Sequence, residues 1–207
     1  LKNGATGYLI TDWGDNGHWQ VQPASYPGFT AGASFAWNSS KDIDLVKVLN
    51  TVIFKDKSGI YGKAACDLGM VYKTAFKENP GRNASSLARL LLFPNAFIKD
   101  YKGLDKKNLK QAEKDLKSIV ESVAKAEPAT HDAKLLKEEI IHAAKILIHA
   151  CHRGILICEG KKAGADMLKE IRELKGRHQE IWLARNRPGG LQDSLARFTK
   201  LQKEYEG

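Results

Sequence analysis

Long apolar runs are missing from this chain. No stretch approaches the ~18–20 apolar residues needed to span a bilayer, which argues against a membrane-spanning helix. The N-terminal LKNGATG has neither the basic head nor the apolar body of a signal peptide, and Leu1 stands where an initiator Met would. The expectation is a chain cut from something longer, with any targeting segment upstream, so secreted, periplasmic and cytoplasmic locations all stay open. Cysteine is scarce. Cys66, Cys151 and Cys158 cannot all pair internally, and the last two fall on one presumptive helix face, which favours packed free thiols over a disulfide framework. Low-complexity segments and clear internal repeats are lacking as well.

Zinc-finger spacing is also absent, although His142, His149, Cys151 and His152 share one segment. A helix would put His142 and His149 on one face and His149 beside His152. A metal site is conceivable there; histidines satisfied at a helix interface are the plainer expectation. Neither a metal nor a cofactor is expected.

Acidic and basic residues are sparse at the start: residues 1–40 hold one Lys and two Asp. The formal charge of +9 therefore belongs to the rest, where Lys is interleaved with Glu and Asp, as in Lys106 through Lys117 and Lys134 through Glu139. Mixed signs at helical spacing describe a solvated helix face. With no helix-turn-helix, zinc-finger or RNP-type pattern beside the charge, nucleic acid is not expected as a partner.

What is present divides into two regions. Residues 1–40 are rich in Gly, Trp, Pro and Ser; Tyr8-Leu9-Ile10 reads as a strand, TDWGDNGHWQ as a loop, and GFTAGASFAWN after Pro27 as a helix packed closely on a sheet. From residue 41 to 207 helical signals dominate. Segments run from Asp44 to Phe54 and from Ile60 to Phe76, the latter with Leu68, Val71 and Tyr72 inward. After the turn Asn79-Pro80-Gly81 comes a short helix from Ser85 to Phe93, stopped by Pro94. Asp105 can cap a helix from Lys106 to Ala126 whose Leu109, Ala112, Leu116, Ile119 and Val123 recur at three and four residues. Pro128 ends it. Helices from Asp132 to Cys158, Ala163 to Asn186 and, past Pro188-Gly189-Gly190, Leu191 to Tyr205 complete a bundle of long antiparallel helices.

Strand, chemistry-bearing loop and helix in that order match one unit of a β/α barrel, whose loops after the strands carry function. A single unit cannot bury both faces of its strand, and no second strand-like run with a comparable loop follows residue 40. The fold expected is mainly α: the last β/α unit of a TIM barrel in residues 1–40, then an all-helical C-terminal domain in residues 41–207. Within the loop, the Trp13 indole offers a flat face to the C–H side of a sugar ring, and the Asp15 carboxylate can accept two hydroxyl hydrogen bonds. The alternative makes Trp13 a core residue and Asp15 a helix cap.

GYLITDWGDNGHWQVQPASYPGFTAGASFAWN closely resembles the end of the catalytic barrel in a bacterial branch of the family 20 glycoside hydrolases, the β-N-acetylhexosaminidases. RHQEIWLARNRPGGLQDSLARF, residues 177–198, resembles the end of the helical domain appended in that branch. The two blocks cover about a quarter of the chain. The resemblance implies a retaining exo-hydrolase that releases terminal β-linked N-acetylglucosamine or N-acetylgalactosamine, with the substrate's acetamido oxygen as nucleophile. Family chemistry uses an adjacent Asp-Glu pair. No such dipeptide occurs in these 207 residues, so the catalytic pair is expected upstream and the chain alone is expected to be inactive.

By the same resemblance Trp13 lines the pocket for the terminal sugar, and Asp15, where many relatives carry Glu, binds its O4 and O6 hydroxyls. Asp12, His18 and Trp19 are characteristic of the branch, with His18 either meeting the leaving group or bracing the loop. Within residues 177–198, Trp182 and Leu183 are expected to be buried, Arg185 and Arg187 to hold a carboxylate or reach the substrate, and Asp193 or Ser194 to begin the last helix. The partners implied are a terminal N-acetylhexosamine and the upstream barrel. The competing reading is an autonomous helical interaction or oligomerisation module without catalysis, with a second copy of the chain as its partner.

Overall fold

The computed structural model describes residues 3–37, 42–76, 86–92 and 104–207. Over these the chain is mainly helical: α1 (Gln22–Trp37), α2 (Leu45–Val48) running into a π-helical turn (Leu49–Ile53), α3 (Ile60–Met70), α4 (Tyr72–Ala75), α5 (Ser86–Leu92), α6 (Lys106–Lys125), α7 (Ala133–Cys158), α8 (Ala165–Arg185) and α9 (Leu191–Glu206). The expected turn Asn79-Pro80-Gly81, the stop at Pro94 and the junction between residues 40 and 41 lie outside the described residues.

Caps and apolar spacing account for the long helices. Asp105 Oδ1 accepts the Asn108 N–H at 2.9 Å to start α6. The predicted stripe Leu109, Ala112, Leu116, Ile119 and Val123 is buried along that helix. It faces α7, which also packs against α5 and α8, while α9 lies on α8 and α3 and α4 lie on α6. Gly190, at φ 79°, supplies the left-handed residue that turns the chain from α8 into α9. That sets the start of α9 at Leu191, as the span Leu191 to Tyr205 has it and ahead of the alternative start at Asp193 or Ser194.

The 26 residues of α7 are long and apolar enough to satisfy the length and composition of a bilayer span, contrary to the reading of the sequence. Its position explains the composition: it is the central helix, apolar on several faces because helices cover it, and it holds buried Glu139, His142, His149 and Arg153.

The N-terminal region departs most from expectation. Among the described residues there is no strand; Tyr8-Leu9-Ile10 has no ladder. A strand is defined by backbone groups paired with a neighbour, and no other described segment offers an edge. The chain still runs over α1 in alternation. Ile10 fills the space a Cβ on Gly32 would take and Tyr8 Oη lies 3.6 Å from that point, while Leu9, on the opposite side, is 85% exposed. Helix α1 begins at Gln22, earlier than expected, and tolerates Pro27 within it. It buries Pro23 and Thr30 but leaves Phe35 exposed and Trp37 95% exposed, so the sheet against which it was expected to pack is not among the described residues.

Candidate functional site

The loop of residues 11–20 is fastened at both ends. Asp12 accepts from the Gln20 side-chain amide and, at 2.5 Å, from Ser25 Oγ in the first turn of α1. A shallow recess of about 350 Å³ between Ile10, Asp12, Gln20, Ala24, Ser25 and Phe29 opens beside this clamp. Between the fastenings the backbone turns tightly over Asp15–His18, with Asn16 at φ 61°, Gly17 at φ 96° and His18 at φ 53°. Trp13 stands outward, 74% exposed, its Nε1 donating to Thr11 Oγ1 at 2.9 Å. It is not a core residue. The side chain of Asp15 lies outside the described residues.

The turn docks on α9 and α8. Trp19 Nε1 donates to the Ser194 carbonyl at 3.0 Å, and the Trp19 ring stacks on Phe198 with centroids 4.3 Å apart. A Cβ on Gly17 would meet Asp193 O and Ser194 Cα, both at 3.2 Å, so the positive φ and the close approach demand glycine together. Asn16 Oδ1 receives Arg197 at 3.4 Å. His18 folds its ring back over Gly14 and presents it edge-on to Trp182 at 6.3 Å. Trp182 in turn donates Nε1 to the Arg187 carbonyl at 2.9 Å.

Beneath the dock, ionisable groups join the helices. Arg185 grips Glu139 with two bonds, Nε to Oε1 at 2.9 Å and Nη2 to Oε2 at 2.7 Å, and reaches Asp132 Oδ2 at 2.6 Å with Nη1. Hydrogen bonding to Glu139 and Asp132 raises the Arg185 pKa, while burial pushes the Glu139 carboxyl up against the pull of the guanidinium. The Arg185 expectation of a carboxylate partner is met within the helical bundle. Arg187 contributes a carbonyl, and Leu183 is half-exposed because α8 turns that face to solvent.

Two histidines of α7, His149 and His152, are satisfied by neighbours. His149 joins Glu170 Oε2 at 2.7 Å and the Tyr205 hydroxyl at 3.0 Å; His152 lies 3.2 Å from the same Glu170 oxygen and 3.3 Å from Glu113 Oε1. Burial works to raise the Glu170 pKa, but the two histidines hold it at about 2. No group of three or more His, Cys, Asp or Glu among the described residues is arranged to hold a metal. Cys151 is buried with its thiol pushed up to about 12, and Cys66 and Cys158 are free.

Of the five residues singled out in the loop, Asp12 braces it, Trp19 and His18 lie in the dock, and Trp13 faces out. The partners that receive Trp19 and His18, namely Ser194, Phe198 and Trp182, are separated from the loop by most of the chain. Only the i, i+4 recurrence of Ser194 with Phe198 and of His178 with Trp182 marks common faces in advance. Comparison of the chain with protein families, curated proteins and solved structures returns no match.

Proposed function

We propose that this chain is the C-terminal part of a retaining exo-β-N-acetylhexosaminidase that hydrolyses terminal β-linked N-acetylglucosamine or N-acetylgalactosamine by substrate-assisted catalysis. In this reading residues 1–40 are the last β/α unit of its TIM barrel, and the helical remainder buttresses that unit. The carrying observation is the dock. The two blocks on which the resemblance rests lie far apart in sequence, and they meet through Trp19 on Ser194 and Phe198, Gly17 on Asp193, and His18 on Trp182. Two further features agree with it. Tyr8 and Ile10 pack on α1 while Leu9 points away, as in a strand whose helix covers one side, and Leu9, Trp13, Phe35 and Trp37 leave apolar surface for a barrel to cover.

Trp13 then serves as a wall on which the terminal sugar stacks, Asp15 as the acceptor for its O4 and O6 hydroxyls, and Asp12, His18 and Trp19 as supports of the loop. The acid/base pair belongs to the upstream barrel. The purified chain is expected to release no chromophore from an aryl N-acetylglucosaminide, and addition of the upstream barrel to restore release. In the assembled enzyme Trp13→Ala is expected to raise KM roughly tenfold. Turnover by the chain alone, or an assembled enzyme indifferent to Trp13→Ala, would reject the assignment. One observation favours the second reading, a helical interaction module without catalysis: α6, α7, α8 and α9 bury a continuous core in which Trp19, Val21 and Tyr26 are the main contributions of the N-terminal region. Loss of self-association with unchanged kinetics on removing that helical part would select it.

A further inference from the structure

His178 sits where α8 meets both the central helix and the loop. Its Nδ1 is 3.3 Å from His142 Nε2 on α7, and its Nε2 is 2.8 Å from Ser194 Oγ on α9. Ser194 is also the residue whose carbonyl receives Trp19. Ring contacts follow the same line: His178 lies 5.0 Å from Phe198 and 6.1 Å from Trp182, the two rings on which Trp19 and His18 rest. His142 and His178 are both buried, and His142 Nδ1 has no hydrogen-bond partner.

One proton lies between the two imidazoles. If His142 Nε2–H donates to His178 Nδ1, then His178 Nε2–H donates to Ser194 Oγ, and the unpartnered His142 Nδ1 is a bare lone pair. The opposite tautomers would leave a buried N–H without an acceptor, which costs more. The neutral, directional pair is therefore the arrangement that fits. A second proton must go onto the unpartnered nitrogen or between the two rings, where it turns their hydrogen bond into a clash of donors.

We propose that His178 and Ser194 are positioning residues for the loop that carries Trp13, and that protonation of the His142–His178 pair loosens that loop from α8 and α9. Burial disfavours the charged ring in both, bringing His142 down to about 3 and His178 to about 4; His178 further lowers His142, and His18 lowers His178. The charges acting on the pair are Lys145 on α7, Arg177 on α8 and His18 in the loop, all cations when charged. From α9 the pair meets Ser194 and Phe198. Among the described residues no carboxylate meets either ring, the nearby Glu138 and Glu180 being paired with Arg177 at 3.0 and 2.5 Å. The consequence for sugar binding rests on the reading above, whereas the coupling of pair to loop does not.

The test follows the indole N–H signals of Trp13, Trp19, Trp37 and Trp182 in the ¹⁵N-labelled chain as pH is lowered from neutrality. Trp19 and Trp182 are expected to shift together with a midpoint near pH 4, before loss of helical circular dichroism, while exposed Trp37 stays still. In His178→Gln the Trp19 shift is expected to vanish. Should that variant fail to fold, Ser194→Ala, which removes Oγ and keeps the carbonyl, is expected to uncouple Trp19 and leave the Trp182 titration intact. An unaltered Trp19 titration in the folded variant, or no Trp19 shift before global unfolding, overturns the proposal. In the assembled enzyme, His178→Gln is expected to raise KM more than it lowers kcat. Coupling in the spectra with unchanged KM would count against the sugar-pocket reading and leave the positioning role standing.

Discussion

At the scale of single residues, Asp56 joins two stretches of backbone. It accepts from the N–H and Oγ of Ser58, from the N–H groups of Ile60 and Tyr61 where α3 begins, and from Glu127 N–H at 2.9 Å in the connection between α6 and α7. Burial opposes its ionisation, yet these donors hold its pKa below the ordinary 3.8. Such a group stabilises the fold above its unfolded pKa and loses that contribution as pH falls through the folded value. Asp56→Ala is therefore expected to cost about 2–3 kcal/mol near neutral pH, in the range of a lost cap plus a buried bond, with the gap to the parent narrowing below about pH 4. Urea unfolding at both pH values measures it, and a gap independent of pH would mean that the charge is not what matters. Four of the five bonds to Asp56 are made within five residues of it; the one that no local spacing signals is the fifth, to Glu127 in another part of the chain. Asp105 was legible as a cap because its partner Asn108 lies three residues on; Asp44, read only as the start of a segment, caps Lys47 at the same spacing.

At the scale of elements, legibility follows the range of the forces that define each one. The stripe on α6 and the limits of α7, α8 and α9 agree with the sequence to within a few residues, since a helix satisfies its own backbone and announces its buried face by spacing. Tyr8-Leu9-Ile10 fails as a strand because a strand depends on a neighbour the described chain does not supply. The join between α7 and α8 shows a different limit. Arg185 could be assigned a carboxylate, but not Glu139, which is 1% exposed and becomes costly once its partner is removed. Arg185→Ala is expected to destabilise the fold by about 3–5 kcal/mol, Arg185→Lys by less than the alanine but still measurably, and the double replacement Arg185→Met with Glu139→Met by little. Chemical denaturation of the parent and the three variants makes the comparison. Equal losses in Arg185→Ala and in the double variant would show that the uncompensated Glu139 charge is not the source of the cost.

At the scale of the molecule, the chain divides unequally between a helical core and a segment that leans on it. Residues 3–14 touch the rest through Tyr8 and Ile10 on Gly32, through Asp12 on Gln20 and Ser25, and through Gly14 under His18, while Leu9 and Trp13 face solvent. The next seven residues behave differently: Trp19 covers Phe198 and fills the Ser194 carbonyl, and Val21 is buried in the common core. Two truncations separate these roles. Removing residues 1–14 discards mostly exposed surface and is expected to lower the melting temperature by no more than about 3 °C, the shift that roughly 1 kcal/mol produces in a chain of this size. Removing residues 1–21 also takes Trp19 and Val21 and leaves Phe198 uncovered, so a loss of about 4–6 kcal/mol and a fall of roughly 10–15 °C are expected. Calorimetry on the two truncated chains and the parent gives the comparison. Equal falls would place the anchorage in residues 3–14 and make the dock on α9 incidental, whereas the unequal fall expected here makes the Trp19 contact the hinge on which an outward-facing Trp13 is held.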